Sequence, residues 1–572
     1  MKWAIQLPSG EFLDTPLDLD LQFEFNNQVF STSDTALLPG SYSFPIEVPL
    51  TARMKTLFGF PDRVDRATLF QNIENVWVYA AGIRLFSGTL KILKARKGSV
   101  SISIFADFLG SLKKANLADI DFGANVAAGG TSLEAWAAHM LDTAENPEDY
   151  NHIFFPVYFT GGDTGWVNKW KAEAETFDIG NTEAVAPFVK ISYILDRIFS
   201  AADGYSIIND WQTDIEMFRR YLFHQADVRV LGVNPAVAPT FPANYALKDH
   251  VPQATIPKFL RSLCAQNCLG IFTNPFNRTI RIGPLQSAIT NSAIQDWTTY
   301  ALYDPIIEPD TANIGYLNYA QPYDGVPDNF PPVETVEVVY NTRDDFNLDW
   351  QNLPTGFAYI EAGETMMEVR DEGAVVTFQR GHPLFRGVGV ASETGIIPEL
   401  VPFRAIEFGN EGVYYVFHEG EASVYDNGSG SYAWQQKTCP LTVLQFRGIQ
   451  VQKSGEPASP LACNSVWKSY NTGGVKSKIV AGGVDLADSA HSLNYFGEYG
   501  LGTQAWGAWF EMLKNGKHVT QSFIIPITKL TGFSFGDKIR VGNMDFFAKK
   551  LRVQKLLDRG RVLVEASMVS VI

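Results

Sequence analysis

Cysteine is scarce in this chain: Cys264, Cys268, Cys439 and Cys463 are the only four in 572 residues. That number excludes a disulfide scaffold, so the fold must hold itself by burying apolar surface. Long apolar runs are missing too. The opening Met1–Gly10 (MKWAIQLPSG) carries one lysine and breaks at Gln6 and Pro8, before any run fit for a signal peptide or a membrane span. The expectation is synthesis in a cytosol and no stable membrane span. Positive charge is in deficit, with 46 Lys and Arg against 62 Asp and Glu, a formal charge of −16 and a pI near 5.0. Proteins that grip nucleic acid draw affinity from basic side chains on phosphates, so that class is excluded, although a passive wall around passing DNA is not.

Catalytic signatures are also missing. No G-x-S-x-G elbow, H-E-x-x-H zinc pair, Walker-type loop or G-x-G-x-x-G turn occurs. Asp18 and Asp20 could be paired carboxylates, but they alternate with Leu17, Leu19 and Leu21, which puts them on the wet face of a strand. The eight histidines (His139, His152, His224, His250, His382, His418, His491 and His518) are scattered, no two at metal-site spacing. Cys264 and Cys268 could share a helix face, yet no His or second Cys pair lies nearby, so they read as small buried hydrophobes. Trp506 and Trp509 have the spacing of a sugar platform, but a helix face packed on the C-terminal sheet explains that spacing with less. Asp537–Asn543 (DKIRVGN) and Lys549–Arg552 (KKLR) make a modest basic cluster, read as a solvated strand face or a contact to an acidic neighbour. No residue is nominated as catalytic, cofactor-binding or metal-ligating, and no enzyme activity or cofactor is expected.

What is abundant is aromatic surface: 40 Phe, 22 Tyr and 12 Trp, suited to half-buried strands and large interfaces. The length suggests three to five domains. Strand alternation is clear at Leu21, Phe23 and Phe25, at Phe44, Ile46 and Val48, and at Val100, Ile102 and Ile104, with two strands across Trp77–Leu93 around Gly82 and Gly88. Thr51–Gly59 predicts a short helix between polar cap and glycine terminator. Ser132 caps a second helix through Leu133, Trp136, Ala137 and Met140, followed by a loop with Gly161, Gly162 and Gly165. Ile191, Ile194, Leu195, Ile198 and Phe199 set a helix across Pro187–Ala202. Tyr205–Ile208 then reads as a strand, and Ile215, Phe218, Arg219 and Leu222 as a further helix.

A helix from Pro257 leads into a hairpin, Leu269–Thr273 and Thr279–Ile282. Pro305–Pro332 reads as loop, and Val333–Tyr340, Val375–Phe378 and Val413–Phe417 as strands, with a turn at Asp426–Ser431. The last helix is Thr503–Leu513, followed by strands at Val519–Ile527, Lys538–Val541, Asp545–Gln554 and Arg561–Met568. The fold class expected is α+β, mainly β, with several barrel- or sandwich-like domains, short packed helices and a multidomain, hub-like architecture. The divisions are 1–115 (β-rich), 116–250 (mixed α/β), 251–400 (helix, hairpin and strands) and 401–572 (C-terminal β with one helix).

Several stretches together carry a resemblance. In Ser41–Phe60 (SYSFPIEVPLTARMKTLFGF) and the next residue, Phe44, Pro45, Pro49, Thr51, Gly59, Phe60 and Pro61 resemble the opening of tail-tip or baseplate hub proteins from phages and prophages of the Bacteroidetes. Pro187–Ile208, Pro257–Ile282 and Trp506–Phe547 are similar to further elements of those proteins. The resemblance implies a ring, usually a homotrimer, that adapts the tail tube to the tip or central spike. It implies a virion component assembled in the bacterial host cytoplasm, with tail tube, distal tail and spike or fibre proteins as neighbours and a channel for DNA and the tape-measure protein. An acidic lumen would let DNA slide without counterion-release gain. The rival readings are a host-receptor or carbohydrate-binding tail adhesin and a tail-associated cell-wall hydrolase.

Overall fold

The computed structural model describes residues 3–16, 19, 21–26, 40–63, 72–106, 112, 114–159, 166–179, 185–201, 205–209, 220–223, 241–252, 254–274, 276–291, 293–308, 441–450, 458–463, 493 and 501–571. Between 336 and 485 it adds eleven short strands and the single residues 345 and 352. The protein is α+β and mainly β, with several sheets and short helices.

Local chemistry explains most elements. Thr51 accepts a hydrogen bond from the Met54 amide and starts helix α1 (Ala52–Leu57). Ser132 does the same through the Ala135 amide for α2 (Leu133–Glu145). Helix α3 (Ile191–Ser200) buries Ile191, Ile194, Leu195, Ile198 and Phe199, one stripe of a 3.6-residue period. Helix α4 (Ile256–Asn267) has proline in its first turn and ends at Cys268, whose left-handed backbone (φ 50°) returns its N–H to the Cys264 carbonyl. The hairpin Leu269–Asn274/Thr279–Pro284 follows, turned by Asn274, whose Oδ1 accepts from the amides of Phe276 and Asn277. Helix α5 is Leu285–Asn291. Helix α6 (Gly507–Asn515) is entered through a π turn at Gly502–Trp506.

Thirteen strands form the largest sheet. They are β1 (Trp3–Gln6), β2 (Phe23–Asn26), β3 (Gly40–Ser43), β4 (Ile46–Pro49), β5 (Ile73–Ala80), β6 (Ile83–Arg96), β7 (Ser99–Ala106), β8 (Ile294–Asp296), β9 (Ile306–Glu308), β10 (His518–Pro526), β11 (Lys538–Val541), β12 (Met544–Leu557) and β13 (Arg561–Val571). Their hydrogen-bonded order is β1-β5-β6-β7-β3-β2-β12-β13-β10-β9, with β4 on β7, β11 on β12 and β8 on β11. The sheet therefore joins residues from the first, third and last of the four segments drawn on the sequence. Its central seam is β2 against β12, Phe23 opposite Val553 and Phe25 opposite Leu551. Phe23 and Phe86 meet edge to face at 4.7 Å, with Trp3 at 5.2 Å from Phe23. Gly88 lies inside β6, not at a turn, because a Cβ there would stand 2.5 Å from the Phe105 carbonyl oxygen.

Some expectations change. Phe188–Lys190 is a strand, not the first turn of α3; all three residues are buried between His152–Ile153 and Arg220–Phe223, and proline 187 precedes a strand instead of a helix. Leu222 also belongs to a strand, Arg220–Phe223, whose Tyr221 is fully buried; the rest of that expected helix lies outside the described residues. Ile306–Glu308 is a strand inside the expected loop, and the remainder of that loop falls outside the description. Strand β10 stops at Pro526, where Ile527–Thr531 turns into a short helix. Asp18, Asp20, Gly161, Gly162, Gly165 and Gly204 lie outside the described residues.

Candidate functional site

Three of the sequence candidates are spent on internal structure. Trp506 and Trp509 are buried; Trp506 stacks on Phe510 at 5.0 Å and Trp509 packs on Phe547 of β12, so neither offers a ring to a sugar. Cys264 and Cys268 are buried free thiols, and burial pushes the Cys264 thiol up to about 12. The basic cluster folds back on its own chain. Arg540 makes a two-pronged pair with Asp545 (2.7 and 3.0 Å), Lys550 reaches Glu24 (2.7 Å), Arg552 lies over the Phe44 ring and donates to Gln22, and the Lys538 ammonium donates to the Ile289 carbonyl.

The structure does gather three histidines that sequence spacing separates. His139 of α2 and His152 both point their Nε2 atoms at the hydroxyl of Tyr245, and His250 packs against the same ring. His152 is fully buried and its Nδ1 has no partner. An unpaired lone pair costs less than an unpaired N–H, which assigns the proton of His152 to Nε2, donating to Tyr245, and makes the Tyr245 hydroxyl the donor to His139. Burial holds both imidazoles below their ordinary range, His152 well below. Asp142 accepts from the Tyr150 hydroxyl and is held low by it. Lys190, buried beside the cluster, donates to the Pro147 carbonyl and is lowered to about 8 by burial. Among the described residues no three His, Cys, Asp or Glu side chains stand as metal ligands. The cluster is a buried polar core, legible only once the strand, helix and loop that carry it are packed.

A polar cleft of about 300 Å³ lies between Asp119–Asn125 and Ala246–Lys248. Its acids are already engaged: Asp119 accepts from the Asn116 amide, and Asp121 from the Gly123 amide while pairing with Arg197 at 3.2 Å.

The surface that sequence reading missed is the end of the large sheet. Among the described residues, strand β9 pairs on one side, with β10 (Ile306 opposite Thr520, Ile307 opposite Val519). Ile306 is 64% and Ile307 61% exposed, and the approach to the strand shows Tyr303 at 77%. A sheet edge that shows apolar side chains on both faces is a template for another chain. The only sequence signal was the Ile-Ile pair, hidden in a proline-flanked stretch.

These features define a mainly β protein of several sheets that, among the described residues, shows an open apolar sheet edge. No helix among the described residues is long and apolar enough to cross a membrane. No protein-family model matches the chain, and no curated protein matches it. Among solved structures it is similar to the 43 kDa tail protein of prophage MuSo2 from Shewanella oneidensis (8% identity, 99% of this chain and 98% of that one, TM-score 0.31). It is similar to a tail protein from Neisseria meningitidis (8%, 100% and 96%, TM-score 0.30) and to prophage tail protein gp18 from Listeria monocytogenes (8%, 99% and 94%, TM-score 0.30). Superpositions this loose do not define a common fold.

Proposed function

We propose that this chain is a structural component of a bacteriophage tail, a hub ring at the tail tip or baseplate that connects the tail tube to the tip or spike and lines part of the DNA channel. The observation that carries the reading is the joining of two stretches that resemble hub proteins. The strand and helix of Ser41–Phe60 and the module Trp506–Phe547 contribute β3, β4, α1, β10, β11 and α6 to one sheet region. An open apolar edge at β9 supports it, since a ring needs large self-complementary or head-to-tail surfaces. Its partners are further copies of itself, as a homotrimer, with tail tube, distal tail and spike or fibre proteins; DNA and the tape-measure protein pass through, and the virion is its location. The acidic balance suits a lumen that does not hold DNA.

The test is the mass by light scattering of the purified protein, alone and after mixing with the tail proteins encoded beside it. A trimer, or a ring formed on mixing, is expected. A persistent monomer that binds host polysaccharide moves the reading to an adhesin, and one that clears host cell wall moves it to a hydrolase.

A further inference from the structure

The net charge of −16 hides one strongly basic feature. From Arg84 to Ala106 the sequence has five cations, Arg84, Lys91, Lys94, Arg96 and Lys97, and no carboxylate. Four of them sit at the far end of the β6–β7 hairpin. The register explains how they come together. Ile92 faces Ile102, but Lys94 faces Ser101, so Leu93 is an extra residue, a β-bulge. Without it, strict alternation would aim Lys94 at the core; with it, Lys91, Lys94 and Arg96 line the outward face, opposite Ser103, Ser101 and Ser99. Lys97 follows in the turn at Gly98 (φ 103°). Lys91 is drawn over the Phe105 ring at 4.7 Å. Lys94, Arg96 and Lys97 make no ion pair among the described residues. Of the carboxylates on neighbouring strands, Glu47 of β4 lies across Ser101 from Lys94, two strands away, and Glu74 of β5 follows Ile73, the partner of Leu90. Leu93 adds an apolar side chain, 46% exposed. This is the opposite of the C-terminal cluster, where every cation named above has an internal partner.

The same chain carries the complement. Helix α2 ends with Asp142 and Glu145 in its last turn and no basic residue there, although the carbonyl end of a helix favours cations. Glu148 and Asp149 continue the run, and all four are exposed. Asp142 is held by Tyr150 and Asn146. Glu145, Glu148 and Asp149 make no ion pair among the described residues, and Lys190, whose ammonium is influenced by Glu148 and Asp149, is itself buried. Two unneutralised patches of opposite sign on one chain, each unfavourable alone, are complementary between copies.

We propose that the β6–β7 hairpin tip of one copy docks on the acidic end of α2 in a second copy, Lys94, Arg96 and Lys97 meeting Glu145, Glu148 and Asp149, with Leu93 as the apolar contact. The contact is head to tail, so repetition closes a ring or extends a filament. It deepens the self-assembly part of the hub reading and rests on it only there.

The experiment is sedimentation velocity of the full chain at low and high NaCl, for wild type, K94E/R96E/K97E, E145K/E148K/D149K and the combined six-site variant. Thermal melts check that these exposed substitutions leave the fold intact, and the milder K94Q/R96Q/K97Q serves where charge reversal does not fold. Wild type is expected to associate and to weaken at least about tenfold as salt rises. Each triple reversal should abolish association, and the combined variant should restore it. Wild type that stays monomeric at every salt, or a hairpin variant that associates like wild type, overturns the proposal. So does a hairpin reversal that leaves association unchanged and instead loses binding to a labelled DNA duplex, which would assign the tip to phosphates. Co-assembly with tail proteins is read separately, so the hub reading and this contact can fail independently.

Discussion

Lys550 and Glu24 meet at 2.7 Å across the seam between β2 and β12, with the carboxylate almost wholly buried and the ammonium stem half in solvent. Glu24 sits on β2 between Phe23 and Phe25, where alternation predicts a wet side chain; it is buried instead, opposite Arg552 in the register of β12, and Asn26 donates to its second oxygen at 3.1 Å. Replacing Lys550 with methionine removes its ammonium from the buried Glu24 carboxylate. Removing one side of a fully buried pair is strongly destabilising, but solvent at Lys550 screens much of it, so a loss of about 1–2 kcal/mol in urea unfolding is expected. The double variant E24Q/K550M should recover part of it; equal losses in single and double variants would refute the coupling.

The histidine core makes stability depend on pH. Burial depresses the imidazole of His152, with a smaller effect at His139. Below about 6.5 the unfolded chain takes up protons that the folded core refuses, so their contribution is whole above that pH and is lost as pH falls. The slope is up to about 1.4 kcal/mol per pH unit for a group as buried as His152. The groups around it are His139, Tyr150, Tyr245, His250, Lys190 and, farther out, Asp142, Glu148 and Asp149. Asp142, held low by Tyr150, titrates in a more acidic range. Melting temperature should drop between pH 7 and 5 in wild type and drop less in H152Q, which starts lower. Parallel curves would show that His152 does not set the dependence.

Gly88 is expected to resist substitution. A Cβ there meets the Phe105 carbonyl oxygen at 2.5 Å and Ile104 at 3.1 Å, so G88A must push β6 from β7. The expected cost is about 1–3 kcal/mol, read as a lower denaturant midpoint. G98A tests backbone conformation alone, since nothing stands within 4 Å of a Cβ there and only its positive φ is strained.

Thiol labelling gives a direct probe of the α4 hairpin unit. Cys264 and Cys268 are buried and both are pushed up by burial, so neither is nucleophilic in the folded protein. A thiol reagent should label them only in denaturant, with the rate following unfolding; rapid native labelling at either position would show that α4 opens on its own.

Helices and hairpins were legible where one local period or cap decided them. Thr51, Ser132 and the α3 stripe were enough, because capping and amphipathicity are set within a dozen residues. Phe188–Lys190 was not, because a buried three-residue strand has no period to show. The β2–β12 seam was not, because pairing between Gln22 and Arg552, 530 residues apart, leaves no mark on either strand. The same holds for the histidine core, whose Tyr245 lies 106 and 93 residues from His139 and His152. The basic segments DKIRVGN and KKLR were visible, but the neutralisation of Arg540 by Asp545 and of Lys550 by Glu24 required the sheet.

That seam also sets a timetable. At about 5–20 residues per second on the ribosome, β2 emerges roughly half a minute to two minutes before β12. During that interval its free edge shows Phe23 and Phe25, which invite stray strands. Glu24 stands between them, and a charge aimed inward on an open edge discourages such pairing. It is neutralised when Lys550 arrives. A nascent chain cut short before that strand lacks the ammonium that Glu24 pairs with, so the carboxylate that guards β2 also marks an unfinished chain.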